Sequence, residues 1–304
     1  MQKSLAGLSL RDLEYVEAVA ELSHFGRAAE RCGVAQPSFS AGIKALEEGL
    51  GVPLVMRSSR FQGFTAEGEV VLDWARRITG EVHAMRDDVS RLKRGLTGLL
   101  RIAAIPTALA TLAEFTTPFR AHHPEVRFAL HSCSSAEVLA RLQNHEADAG
   151  VTYLDNEPIG RARVIPLYEE RYRLLTCAEA PLGDCAQVSW AELATIPLCL
   201  LTPEMQNRRI IDRLLHNAGV RAEPALESNS IVALVSHVQT GQWACVLPER
   251  LAEVFAINGT LRAIPIVGPE AVHRVGLVLP DRDPLGPLTE ALMAEATRLR
   301  PAGG

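Results

Sequence analysis

Five cations near the start of the chain, Arg27, Arg31, Lys44, Arg57 and Arg60, are of the types that neutralise phosphate oxygens. Two local patterns sharpen that chemistry. Gln36, Ser38, Ser40 and Lys44 recur opposite the apolar residues of one short segment and form a small polar face. In GVPLVMRSSRFQGFT, two apolar runs flank Arg57, Ser58, Ser59 and Arg60 as the strands of a hairpin flank a basic tip. Such a tip sets two guanidinium groups against phosphates or into a minor groove. Residues 1–95 hold 13 Lys and Arg against 13 Asp and Glu, and the remainder 18 against 23, so neither part is a basic tail. Binding to nucleic acid then depends on the cations converging on one face.

The elements that would position these groups follow from spacing. Ser9 and Asp12 open a helix that carries Leu13, Val16 and Ala20 and ends near Leu22. A second helix fits Phe25 to Cys32, closed by Gly33 in a left-handed cap. A third opens at Pro37 and buries Phe39, Ile43, Leu46 and Leu50, leaving the polar face outward. Helix, glycine turn and helix form either a helix-turn-helix or a generic helical hairpin. From Ala66 to Arg94 no proline intervenes, and Val71, Trp74, Ile78, Val82, Met85 and Val89 recur at steps of three and four. That seam implies either a partner helix from a second chain or a helix lying on its own body, and the first is the expectation.

Gly95 to Gly98 breaks the long helix, and apolar strand-like runs follow: LLRIAAI, VRFALHS, DAGVTY, RYRLLTCA, IPLCLLT, WACVLP and VGLVLP. Helical segments such as AEVLARLQNH and RRIIDRLLHNAG alternate with them, which argues for an α/β region with largely parallel sheets from residue 96 to residue 304. Ligands of such sheets bind beyond the strands' carboxyl ends, where helix N-termini favour anions. Four turns there carry hydroxyl or amide groups: Pro106-Thr107, Ser134-Ser135, Thr202-Pro203 and Ser228-Asn229-Ser230. Taken singly, each is first of all a helix N-cap, since Ser, Thr and Asn are what helix starts need. Arg208 and Arg209 can neutralise an acid or form a solvated helix face.

RDLEYVEAVAELSHFGRAAERCGVAQPSFSAGIKALEEGLGVPLVMRSSRFQGFTAEGE resembles the N-terminal domain of LysR-type transcriptional regulators almost end to end. The resemblance implies a winged helix-turn-helix over 1–65, a linker and dimerisation helix over 66–95, and an effector domain over 96–304. That last domain has the two-lobed fold of type 2 periplasmic binding proteins. Lobe I spans about 96–167 and 271–304, and lobe II about 168–270, with crossings near Leu167 to Tyr168 and Val267 to Ala271. Gln36, Pro37, Ser40 and Lys44 fall at recognition-helix positions, Arg27 at a backbone contact, and Arg57 and Arg60 in the wing; Gln suits bidentate contact with adenine. Ala35 and Ala41 depart from the family, which usually has a capping Ser at the first position and often an Arg at the second. Thr107 and Thr202 match positions lining the effector cleft, where Ser134, Ser135, Asn229 and Ser230 would join them.

The implied partners are double-stranded promoter DNA, a small anionic effector, RNA polymerase and further copies of the chain as a homodimer or homotetramer. LCLLTPEMQNRRIID and LESNSIVALV resemble the cyanate-responsive branch, whereas RDLEYVEAVAELSHFGRAA also resembles the peroxide-responsive one. The latter requires a reactive cysteine after the 197–202 strand, where Thr202, Pro203, Glu204 and Met205 stand; Cys199 falls within the strand.

Other classes find little support. Six scattered cysteines without a C-x-x-C pair suggest neither zinc nor a disulfide framework. Adjacent His122 and His123 point to different faces of a helix end, so no metal is expected. Neither a nucleophile elbow, a P-loop, H-E-x-x-H nor GxGxxG occurs, so neither an enzyme nor a cofactor is expected. MQKSLAGLSLRDLEY lacks the apolar core of a signal peptide and no run approaches the ~18 residues of a membrane span, which implies a soluble, cytoplasmic protein without a membrane partner.

Overall fold

The computed structural model describes residues 8–57, 61–94, 96–155, 158–221, 223–268, 272–281 and 284–298. The chain divides into two compact units, one running to Lys93 and including Asn144–Glu146, the other running from Arg94 onward apart from those three residues.

In the first unit, α1 (Leu10–Leu22) opens with a capping box. The Asp12 N–H donates to Ser9 Oγ at 3.3 Å and the Ser9 N–H returns to the Asp12 carboxylate at 2.9 Å. α2 (Phe25–Arg31) is capped by His24, whose Nδ1 accepts the N–H groups of Gly26 and Arg27. Gly33, at φ +67°, then turns the chain into α3 (Gln36–Leu50), whose N-cap Ala35 supplies no side-chain bond. At Gly42, α3 crosses α1 so closely that a Cβ would lie 2.6 Å from the Tyr15 ring. Val16, Val19, Ala28, Phe39, Ile43 and Leu46 fill the space between the three helices.

Leu50 is exposed rather than buried, because α3 has passed the packing edge before Gly51 ends it. Glu47 takes the buried place and its carboxylate accepts the N–H groups of Leu54 at 2.9 Å and Val55 at 3.2 Å. These bonds tie α3 to β1 (Val55–Arg57), which pairs antiparallel with β2 (Phe61–Phe64).

α4 (Ala66–Arg94) has 29 residues, about 43 Å at the usual rise. The single seam expected for it is in fact two faces. Leu72, Ala75 and Thr79 are buried, Val71 is half-buried, and the Thr79 hydroxyl donates to Glu17 at 2.6 Å. Val70, Trp74, Ile78 and Met85 are exposed. The first turns of α4 therefore do pack on their own unit, along a face that the expected seam omitted.

The second unit runs β3 (Gly98–Ala104), a 3-10 turn over Pro106–Ala108, α5 (Ala113–His122), β4 (Val126–Ser132), α6 (Ser135–Gln143), β5 (Ala149–Tyr153) and β6 (Ala162–Glu170). The chain crosses at Arg171 to β7 (Tyr172–Cys177), β8 (Val188–Ser189), β9 (Cys199–Leu201), α7 (Gln206–Asn217), β10 (Leu226–Ser228), α8 (Ile231–Val238), β11 (Cys245–Pro248), α9 (Glu249–Ala256) and β12 (Leu261–Val267). It then returns to β13 (His273–Pro280) and α10 (Pro287–Arg298).

One lobe holds a five-stranded sheet in the order β4-β3-β5-β13-β6; the other holds a four-stranded sheet, β11-β7-β12-β8, and the pair β9-β10. The sheets are mixed rather than largely parallel. β3 runs parallel to β4 and β5, whereas β13 is antiparallel to β5 and β6, and β7 to β11 and β12. The antiparallel members include the strands on either side of the two crossings. β6 and β12 escaped the sequence reading because they contain Pro166 and Pro265 and alternate in burial. Proline is tolerated where β6 forms a sheet edge and where β8 pairs only with Ile266 and Val267 of β12.

Candidate functional site

On α3, Gln36, Pro37, Ser38, Ser40 and Lys44 are all exposed while Phe39 and Ile43 are fully buried. The polar face is held outward by packing. Lys44 pairs with Glu48 one turn on at 3.5 Å, a solvated contact that leaves the ammonium accessible. Arg27 is exposed on α2, and its guanidinium donates to the Leu22 carbonyl at 2.8 Å, closing α1. Ser58 and Arg60 lie outside the described residues, as do the side chains of Arg57 and Val89. On α4, Trp74 and Ile78 lie one turn apart, both exposed, with Arg77 stacked 4.4 Å from the Trp74 ring centre. Val82 is half-buried.

In the second unit the register of the parallel strands places the candidate turns. β3 and β4 pair Ala104 with Ser132, so Thr107 and Ser134-Ser135 follow neighbouring strand ends. β9 and β10 pair Leu201 with Ser228, which sets Thr202 beside Asn229 and Ser230 in the other lobe. Several of these groups are occupied locally. Ser134 forms a capping box with Glu137, Ser230 caps α8 through the Ala233 N–H at 3.4 Å, and Thr202 donates to the Glu204 carboxylate at 2.6 Å. Asn229 is exposed. Thr107 and Ser135 are buried, and their hydroxyls have no hydrogen-bond partner.

Thr107 belongs to a larger polar cluster where the lobes meet, which sequence reasoning missed. Glu170, at the first crossing and 2% exposed, accepts the Tyr153 hydroxyl at 2.6 Å and stands in register with His273 beside the second crossing. Tyr172 and Tyr153 each pack against the His273 ring. From the second lobe, the amide of Asn207, on the first turn of α7, lies beside Tyr153; its two polar atoms are unpartnered, as are Glu170 Oε1 and the hydroxyls of Tyr168 and Tyr172. Burial pushes the Glu170 carboxyl up to about 7, against the pull of the Tyr153 hydroxyl that bonds it and of the nearby Thr107 and Tyr168 hydroxyls, which fall short of hydrogen-bond geometry. Desolvation likewise holds His273 below the usual imidazole range. Thr107, Tyr168 and Glu170 open onto a cavity of about 450 Å³ closed on the far side by α9.

The sequence of the first unit matches the family model for the bacterial regulatory helix-turn-helix protein of the lysR family over residues 10–69, and the second matches the LysR substrate binding domain over residues 93–300. The chain belongs to the LysR family of DNA-binding transcriptional regulators. Among LysR proteins it is 31% identical to the DNA-binding transcriptional dual regulator OxyR of Escherichia coli over 297 residues, 97% of each chain. It is 29% identical to the regulator IlvR of Caulobacter vibrioides over 95% of this chain and 98% of that one. In fold it resembles a full-length OxyR variant from Pseudomonas aeruginosa, with a TM-score of 0.73 over 98% of this chain and 99% of that one at 24% identity. Full-length CbnR bound to its target DNA gives a TM-score of 0.70 over 96% of this chain and all of that one at 22% identity.

Within this LysR chain the two arginines proposed for an acid ligand are already engaged. Arg208 is buried and bonds Asp212, Glu227 and the Leu201 carbonyl, while Arg209 bonds Gln206 and the Glu204 carbonyl. Cys199 and Cys245 are fully buried and adjacent across β9 and β11, next to the Leu198–Ala244 bridge. The neighbouring Cys199 sulfur and complete burial hold the Cys245 thiol well above its ordinary range. All six cysteines are free, no His, Cys, Asp or Glu cluster among the described residues has metal-site geometry, and no described helix is long and apolar enough to cross a membrane.

Proposed function

We propose that this regulator reads promoter DNA through Gln36, Pro37, Ser38, Ser40 and Lys44 of α3, aided by Arg27 and the wing residues Arg57, Ser58 and Arg60, and that it senses a small polar molecule between the lobes of its second unit. The observation that carries the second part is a set of buried polar atoms without hydrogen-bond partners: the Thr107 hydroxyl, Glu170 Oε1 and the Asn207 amide. Leaving a buried donor or acceptor unpaired costs about 1–3 kcal/mol each, a cost that a ligand bonding to them would relieve. Three separate elements contribute to the set, so occupancy would bias how the lobes meet. The effector shifts DNA binding only insofar as it favours one lobe arrangement over the other.

Two copies joined through Val70, Trp74, Ile78 and Met85 of α4 place paired recognition helices in successive major grooves, and tetramers and polymerase contact extend that scheme. The anionic effector implied by helix N-termini lacks support from Arg208 and Arg209, and the relatives found lend the cyanate-responsive reading none. The test is a small-molecule screen by promoter titration with wild-type protein and Thr107→Val. A ligand that moves the wild-type curve and leaves the variant's unchanged supports the site. One that moves both alike binds elsewhere and contradicts it.

A second reading, thiol-based peroxide sensing, is favoured by the relatives named as hydrogen peroxide-inducible activators, such as that of Dickeya chrysanthemi at 28% identity over 91% of each chain. Thr202, Pro203, Glu204 and Met205 supply no thiol after β9, and Cys199 and Cys245 are both fully buried. The metabolite reading is therefore preferred.

A further inference from the structure

We infer that the cavity bounded by Thr107, Tyr168, Glu170 and α9 takes a small organic cation, a primary ammonium group, and rejects anions. The inference rests on the reading of the space between the lobes as an effector site and assigns that site's ligand class.

Size and polarity define the occupant. About 450 Å³ falls in the range of small-molecule sites. Five carboxylates line it, Glu114, Glu169, Glu170, Glu249 and Glu253, against the two guanidinium groups of Arg171 and Arg250. Glu249 is paired with Arg173 behind the wall and Glu114 with Arg250 at 3.5 Å, and negative charge still predominates. An anion would meet Glu170 where little water screens the repulsion. An ammonium carries three donors and no acceptor, so it bonds Glu170 Oε1 and the Thr107 hydroxyl, the two unpartnered groups in the wall that are more than nine-tenths buried.

The chain already places a cation of its own there. The Arg250 guanidinium stands 5.2 Å over the centre of the Tyr168 ring and reaches Glu114 while remaining 53% exposed. A cation over an aromatic face is attracted by the ring quadrupole, and the half-exposed Arg250 is a displaceable occupant of the same place.

Proton linkage follows from what faces Glu170. Tyr168 comes from its own strand, Tyr153 from β5, Tyr172 from β7 and His273 from β13; Thr107 comes from the 3-10 turn, Glu114 from α5 and Arg250 from α9, while Asn207 of α7 lies behind them beside Tyr153. Burial raises Glu170 to about 7, and a bound ammonium draws the proton off. Binding then releases a proton, and affinity falls about tenfold between pH 8 and pH 6.

The test titrates the full-length protein by calorimetry with n-propylammonium, n-propanol and propionate, at matched ionic strength and at pH 8 and pH 6. The expected result is binding of n-propylammonium alone, about tenfold tighter at pH 8. Glu170→Gln weakens it at pH 8 and removes the pH dependence. Arg250→Ala strengthens it by vacating the Tyr168 face, a gain that no folding defect mimics. Propionate or propanol binding that Thr107→Val abolishes would overturn the charge assignment and leave the effector site standing. n-Propylammonium binding indifferent to both Thr107→Val and Glu170→Gln would remove the site itself, and silence from all three probes would overturn the inference.

Discussion

Tyr153 donates a 2.6 Å hydrogen bond to Glu170 where neither residue is more than 2% exposed. Tyr153 ends β5, and Glu170 ends β6 at the crossing between lobes, with β13 running between the two strands. One buried bond thus links the core strand of the first lobe to the point from which the second departs. Buried charges are tolerated when hydrogen-bonded, and this one is satisfied on a single oxygen.

Glu170 therefore gives stability a specific pH dependence. Its folded value of about 7 exceeds the ordinary 4.5, so the folded state binds the extra proton between those values and stability declines as pH rises through that window. Glu170→Gln removes the decline. Denaturant melts of the variant and the wild type should diverge with rising pH, in the variant's favour and by at most roughly 3 kcal/mol. Parallel curves from pH 5 to pH 8 would contradict the assignment.

Gly42 is required by space rather than by backbone angle. Gly42→Ala brings a methyl group to 2.6 Å from the Tyr15 ring where α3 crosses α1. The helices must separate, at a cost of about 1–3 kcal/mol. Thermal melts should show the first unit unfolding earlier, with the second unit's transition unchanged.

Trp74 and Ile78 present an apolar strip on α4 that the chain's own first unit leaves uncovered. Ile78→Glu should shift sedimentation toward monomer at micromolar concentration and weaken promoter binding, while Thr79→Val, on the covered face, should leave the mass unchanged. An unaltered oligomer in Ile78→Glu would place the dimer contact elsewhere.

Peroxide separates the two sensing readings. With Cys199 and Cys245 buried and no thiol from Thr202 to Met205, brief exposure to dilute hydrogen peroxide should leave the promoter titration unchanged. A shift abolished by Cys199→Ser would favour thiol sensing.

The helix-turn-helix was legible because its signals are local: a capping box at Ser9, a left-handed Gly33, and apolar spacing through Phe39, Ile43 and Leu46. The same spacing misplaced Leu50, since periodicity does not say where a helix runs out of neighbours, and it hid the second face of α4, since Leu72, Ala75 and Thr79 meet their partners only after folding. β6 and β12 were obscured by Pro166 and Pro265, whose tolerance depends on edge position. The turns bearing Thr107 and Thr202 could be found from hydroxyl residues after strands, but Glu170 could not. Glu169-Glu170 reads as a solvated charge pair until Tyr153, Thr107 and Tyr168 close around one of them. Only the Tyr168-Glu169-Glu170 run at an expected crossing hinted that polar groups converge there.

Whether α3 reads base sequence is decided by fluorescence anisotropy. Wild-type protein and Gln36→Ala are titrated against a duplex carrying the region upstream of the protein's own gene and against a scrambled duplex, at physiological salt. Wild type should prefer the promoter by ~10³-fold or more, and Gln36→Ala should narrow the preference by weakening promoter binding while leaving scrambled binding as it was. Equal affinity of the wild type for both duplexes, or equal losses on both in the variant, would contradict a reading role for α3.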